Sequence, residues 1–186
     1  MEIEPKTLIQ VLNRAGVNFV LMGAHVVAGW SRVHRATEDV DALVQKSHHR
    51  KAVEAVRRAF PTLTVEDNPV VTRFRDPSDG RVAIDLMKPV HEIYRVTFRN
   101  TVLVEKSHKV PPLVMLLACK FAAMTSPNRL RDNALVDGAD FIRLVQHNKH
   151  DINRVKLRLL GETVYQGGGG LLKLVDDVLA GRPLVF

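Results

Sequence analysis

An α/β fold, in which a small mixed β-sheet is flanked by helices and followed by a helical C-terminal part, is what this 186-residue chain predicts. Three observations predict it. Short apolar runs bounded by turn residues, read as strands, fall in the first part of the chain. Helical periodicity dominates the rest. The composition shifts between the two near Ser107, which divides the chain into a core over residues 1–106 and a helical region over 107–186.

Taken in order, Pro5 suits a first helical turn, and Leu8, Ile9, Leu12 and Ala15 recur on one face before Gly16 ends the helix. Residues 17–22 read as a buried strand, Gly23-Ala24 as a tight turn, and 24–30 as a short helix. A second strand covers 39–44. Ser47 is placed to cap a helix running to about residue 60, with Ala52, Val53, Val56 and Ala59 inward. Runs at 70–74 and 81–87 flank Asp76-Pro77-Ser78-Asp79-Gly80, whose turn chemistry predicts a hairpin. A further strand is expected at 101–104. Beyond Ser107 no strand is expected, and 111–124, 130–146, 151–160 and 171–180 read as helices. Residues 167–170 are four consecutive glycines, expected to act as a flexible hinge before the last helix.

Hydrophobic residues make up 46% of the chain, which supports a full core, while aromatics at 5% leave few platforms for stacking bases. The formal charge of +7 suits a polyanionic partner or serves solubility. Cys119 is the only cysteine, so a disulfide framework and a thiolate metal site are both excluded, and a reducing cytoplasm fits. Glu2 and Glu4 are wrong for a secretory signal, and the longest apolar stretch, 110–124, is too short to span a bilayer. The histidines lack ligand spacing. Arg50, Lys51, Arg57 and Arg58 line the polar face of one helix, either a solvated face or a surface for RNA or an acidic partner.

Three aspartates stand out inside this basic chain. Asp39 and Asp41 alternate in Arg35-Ala36-Thr37-Glu38-Asp39-Val40-Asp41, and Asp85 lies in Val82-Ala83-Ile84-Asp85-Leu86-Met87. Residues i and i+2 of a strand share a face, so Asp39 and Asp41 present neighbouring carboxylates that repel unless a cation or proton relieves them. A third acid on a neighbouring strand completes an oxygen-rich set of the kind Mg²⁺ prefers. The glycine turn ahead of them opens a helix whose free N–H groups suit a phosphate. Lys120 sits in a helix apolar on nearly all sides. It either snorkels to solvent or is neutralised by an anion, here the acid cluster or a substrate phosphate.

In this order and spacing the chain resembles the DNA polymerase beta superfamily of nucleotidyltransferases, most closely its small bacterial minimal and abortive-infection toxin-like members. The pattern is a hydrophobic strand, Gly-Gly or Gly-Ser, a helix, then Arg-x-Thr-x-Asp-hydrophobic-Asp. This sequence supplies Gly23-Ala24 and Arg35 to Asp41, with Lys120, Arg131, Asp132 and Asp137 resembling the later Lys, Arg and Asp element. Ala24 departs from the pattern: it offers no hydroxyl, and would be strained if the turn needed φ > 0 there.

The resemblance implies a nucleotidyltransferase core that moves a nucleoside monophosphate from a nucleoside triphosphate to a hydroxyl of RNA, such as tRNA, or of protein, in a toxin–antitoxin or defence setting. It implies Asp39, Asp41 and Asp85 as catalytic residues holding two Mg²⁺ ions, with Mn²⁺ as a substitute. Gly23, Ala24, Arg35, Thr37, Lys120 and Arg131 become nucleotide-binding residues. The implied partners are the triphosphate, RNA or a cognate toxin or antitoxin protein, and a second copy of the chain in a homodimer. Two other readings stay open. Ala24 favours a non-catalytic nucleotide-binding or antitoxin-type protein. An antibiotic nucleotidyltransferase would share the same front motif but would want an acidic pocket beyond Asp85, and the sequence shows none.

Overall fold

The computed structural model describes residues 3–33, 37, 39–164 and 167–185. It is a mixed α/β protein, as the sequence predicts. The chain divides into two compact units, Met1–Val26 with His34–Pro111, and Val27–Val33 with Pro112–Phe186.

The first unit is built on a five-stranded sheet. In chain order its elements are α1 (Pro5–Arg14), β1 (Phe19–Leu21), the start of α2 (Gly23–Ser31), β2 (Val40–Val44), α3 (His49–Ala59), β3 (Thr64–Asp67), β4 (Val71–Arg75), β5 (Val82–Met87), α4 (Glu92–Thr97), β6 (Val102–Val104) and β7 (His108–Val110). The sheet order is β1-β2-β5-β4-β3. Only β2 and β5 run parallel; β1–β2, β5–β4 and β4–β3 are antiparallel. Leu8 and Leu12 of α1, Val56 of α3, and Val20, Leu43, Phe74, Ile84 and Leu86 of the sheet are wholly buried. Burying each such side chain contributes roughly 1.5–3 kcal/mol, and this core fixes which face of each strand is left for polar work.

The expected hairpin is present, with β4 and β5 joined through the 76–80 turn and Asp85 on its second strand. A bulge interrupts it. Arg75 pairs with Val82 but Phe74 pairs with Ile84, so Ala83 is the extra residue. Three elements go beyond the sequence expectation. Edge strand β3 carries exposed Glu66 and Asp67, the charged pattern that protects an edge and hides a strand from hydrophobic reading. Helix α4, of six residues, is too short to show a helical period. Strand β7 lies beyond Ser107, where the sequence predicts none; it pairs with β6 as a two-stranded ribbon. Ser47 does not cap α3 but lies within a 3₁₀ turn, Lys46–His48, that precedes it.

The second unit consists of the end of α2 with α5 (Leu113–Met124), α6 (Arg131–His147), α7 (Arg154–Glu162) and α8 (Gly168–Leu179). Met115, Leu116, Leu117, Phe141, Leu144, Leu157 and Leu171 form its buried interior. The glycine run corrects the sequence reading: Gly168, Gly169 and Gly170 form the first turn of α8 instead of a hinge. The physical reason is close packing. A Cβ on Gly161 of α7 would lie 2.9 Å from the Gly168 Cα, and one on Gly168 would lie 2.8 Å from the Arg158 carbonyl oxygen. Glycine at both positions lets α7 and α8 approach backbone to backbone.

Candidate functional site

The β1–β2 ladder ends with the Met22 N–H donating to the Asp41 carbonyl oxygen at 2.9 Å, which sets Gly23 beside Asp41. Gly23 has φ +69°, the left-handed region that favours glycine, and it opens α2. A Cβ there would lie 1.9 Å from Asp41 Oδ2. Glycine is therefore required twice, by the turn and by the carboxylate against it. Ala24 is free of the strain considered above, because the positive φ falls on Gly23 and Ala24 is a helical residue.

Asp41 and Asp85 are Cα partners across the parallel pair β2–β5. The register continues in the same row: Asp85 stands opposite Arg73 of β4, and Arg73 opposite Glu66 of β3. Partners in register point to one face, so Asp41, Asp85, Arg73 and Glu66 form a line across four strands with charges −, −, +, −. Asp39 precedes the first residue of β2, and its Oδ1 accepts the Thr37 hydroxyl at 2.6 Å.

Asp85 is perturbed by its burial in this line. The Arg73 Nε–H donates to its Oδ2 at 3.4 Å, while Oδ1 is buried and has no hydrogen-bond partner among the described residues. Burial raises its pKa; the Arg73 charge opposes this and the Asp39 charge adds to it, and the carboxyl is pushed up to about 6. The Asp39 charge therefore reaches Asp85. Among the described residues, no three His, Cys, Asp or Glu side chains gather closely enough to hold a metal ion.

Lys120 receives a different set of partners from the one expected. It lies on α5, where eleven of twelve residues are buried. Its Nζ donates to Asp137 Oδ1 and to Asp140 Oδ2, both at 2.8 Å. Burial pulls the ammonium pKa down, but the two carboxylates outweigh it and the net shift is upward. Arg129 closes the cluster with Nε and Nη2 on Asp137 Oδ2, at 3.0 and 2.7 Å. The anions that neutralise Lys120 are thus Asp137 and Asp140 of α6, not the three aspartates.

The remaining candidates are Arg131, Thr37 and Arg35. Arg131 is exposed at the first residue of α6. The hydroxyl of Thr37 is spent on Asp39. Arg35 lies outside the described residues. Sequence reasoning missed Arg73, Glu66, Arg129 and Asp140. For Arg73 the alternation Val71-Thr72-Arg73-Phe74-Arg75 marks the strand, but the bulge at Ala83 sets which of its residues faces Asp85.

No protein-family model and no curated protein matches the chain. Solved structures do. An antigenic nucleotidyltransferase-like protein from Paracoccidioides brasiliensis aligns with a TM-score of 0.50 at 15% identity, covering 91% of this chain and 89% of that one. A candidate nucleotidyltransferase from H. pylori aligns with a TM-score of 0.51 at 15% identity, covering 97% of each. The mixed sheet, the Gly23 turn and the flanking helices together make a nucleotidyltransferase-like fold.

Proposed function

We propose that the protein transfers a nucleoside monophosphate from a nucleoside triphosphate to a hydroxyl of RNA or protein, with divalent cations. The observation that carries this reading is the cross-strand partnership of Asp41 and Asp85, with Asp41 seated against the Gly23 turn and the Asp39 charge felt at Asp85. The donor chemistry suits a hard cation: among the described residues no three acids close around one point, but Mg²⁺ takes one or two carboxylates and fills its remaining positions with water and phosphate oxygens. Every donor is a carboxylate oxygen, and one of them, Asp85 Oδ1, is buried without a partner among the described residues. Asp39, Asp41 and Asp85 would hold Mg²⁺, or Mn²⁺ in its place. Bound there, such ions neutralise charge on the attacking and leaving oxygens.

The rest falls to the chain's own groups. The N–H groups that open α2, from Gly23 and Ala24 onward, would receive phosphate oxygens, while Arg35 and Arg131 are nucleotide-binding residues on the sequence resemblance alone. The acceptor oxygen bonds to the α-phosphorus, the bond to the bridging oxygen breaks, and pyrophosphate leaves. Asp85 would take the hydroxyl proton. Lys120 has its charge met by Asp137 and Asp140, so a role toward the triphosphate rests on the sequence resemblance alone. A toxin–antitoxin or defence setting rests on the sequence resemblance alone.

One observation favours a second reading. Arg73 already engages Asp85, as in a site that binds nucleotide without turnover. Transfer of label from α-labelled triphosphates to RNA and protein pools separates the two. The proposal expects Mg²⁺-dependent labelling that Asp39→Asn with Asp41→Asn abolishes. Nucleotide binding without labelling of any pool would support the second reading, and binding unchanged in the double variant would sink both.

A further inference from the structure

We infer that Arg73 is a transferable counter-ion: it pairs with Asp85 while the acids are free of metal, and passes to Glu66 when a divalent cation engages Asp85. This rests on the cation reading above and extends it to a residue that reading does not use.

Three observations carry the inference. Arg73 stands between two carboxylates in one row of the sheet, with Asp85 its Cα partner on β5 and Glu66 its Cα partner on β3. A strand spacing of about 4.8 Å on each side lies well within the swing of an arginine side chain. Its present contact is a single, long one: Nε to Asp85 Oδ2 at 3.4 Å, with the guanidinium side chain 34% exposed and Asp85 15% exposed. A committed arginine–carboxylate pair is bidentate and shorter, about 2.7–2.9 Å. Finally, Glu66 can receive a third donor. Its Oε2 takes the Arg75 Nε at 3.0 Å and its Oε1 takes the Asn68 side-chain amide at 3.4 Å, whereas an ionised carboxylate offers about four acceptor positions.

The physical consequence is a competition. With the acids unliganded, Arg73 offsets one of several mutually repelling charges. A dication drawn to the same acids supplies that compensation more strongly and, beside it, the guanidinium becomes a repelling neighbour. Glu66 gives it somewhere to go without leaving the sheet. Cation binding is therefore weakened by the pairing it must break and assisted by the pairing it creates. Arg73 acts through Asp85 and Glu66, so it is a positioning residue.

The test is a double-variant cycle read by Mn²⁺ affinity on metal-stripped full-length protein, using electron paramagnetic resonance of free Mn²⁺. Arg73→Met should tighten Mn²⁺ binding about tenfold, the equivalent of one charged hydrogen bond released. Arg73→Lys keeps the charge and should stay near wild type, which separates charge from packing. Glu66→Gln should weaken binding about two- to threefold in the wild-type background, the scale of an exposed pair, and should have no effect alongside Arg73→Met. Equal effects of Glu66→Gln in both backgrounds overturn the handover. Unchanged or weaker binding in Arg73→Met overturns the counter-ion role while leaving the cation reading intact. Absence of Mn²⁺ binding in wild type defeats both. If Arg73→Met does not fold, the ¹⁵N resonance of Arg73 Nε decides: it should move on Mg²⁺ addition to an end point that Glu66→Gln alters, and a static resonance refutes the inference.

Discussion

Asp41 and Asp85 face each other across the parallel strands β2 and β5, and Asp41 leans on the one residue, Gly23, that has no side chain to push it away. The position of one acid is thus set by a ladder and a turn, and that of the other by the ladder and an arginine.

Replacing Gly23 tests the turn directly. Gly23→Ala adds a Cβ where Asp41 Oδ2 now lies and imposes a side chain on a φ of +69°. The backbone cost alone is about 1–2 kcal/mol, and displacement of Asp41 adds to it. Urea unfolding should show a loss of at least about 1 kcal/mol, and Mn²⁺ affinity should fall with it. Stability equal to wild type would mean that the turn relaxes freely.

The raised pKa of Asp85 makes a signed prediction for stability in the presence of a chelator. Its folded value of about 6 exceeds the ordinary 3.8, so between those values the folded state binds more protons than the unfolded one. Stability should therefore fall as pH rises from about 4 to about 6, by an amount on the order of 3 kcal/mol at most. Asp85→Asn should remove that slope from a chemical-denaturation series. A wild-type slope of the opposite sign that disappears in the variant would show a depressed carboxyl instead.

Lys120→Met probes the buried cluster of the second unit. Removing the ammonium leaves Asp137 and Asp140 buried, with Arg129 and Arg143 as partly exposed partners. Breaking a buried pair on one side costs about 3–5 kcal/mol. Adding Asp137→Asn and Asp140→Asn to Lys120→Met should recover part of the loss, because the stranded charges go with them. A cost below about 1 kcal/mol would fit an ammonium that reaches solvent.

The glycine run gives a contrast between two neighbouring helices. Gly161→Ala should destabilise by about 1–3 kcal/mol, since the new Cβ meets the Gly168 backbone. A Cβ on Gly169, in the first turn of α8, would meet nothing within 4 Å. Gly169→Ala should stabilise by about 0.5–1 kcal/mol. Thermal melts of the two variants should move in opposite directions.

Much of this architecture is legible in the chain. The 76–80 turn announces the hairpin and so places Asp85 on its second strand, and the apolar run before Gly23 announces β1. Arg73 is hidden by the bulge. Pairing in step from Arg75 and Val82 would set Thr72 opposite Asp85; the extra residue Ala83 sets Arg73 there instead. A bulge leaves no mark in hydrophobic periodicity, and a slip of one residue changes every cross-strand neighbour. Lys120 is recognisable as a buried cation in need of anions, but two acids three residues apart on α6, Asp137 and Asp140, look from sequence like an ordinary polar helix face. Strands β3 and β7 are short and bury no residue fully, so they lack the alternation that reveals a strand.

The chain's route through its two units also governs the order in which they can be completed. Val27–Val33 belongs with Pro112–Phe186, and within that unit the Trp30 carbonyl oxygen accepts the side-chain amide of Asn148 at 3.1 Å, from 118 positions along the chain. No continuous fragment short of nearly the whole chain contains the second unit. During synthesis, at roughly 5–20 residues per second, the early segment waits on the order of ten seconds for its helices to emerge. Throughout that interval Val27, which ends 2% exposed, lacks the later segments of the unit it belongs to. The nascent chain is most open to aggregation then, and to whatever holds apolar segments at the ribosome exit.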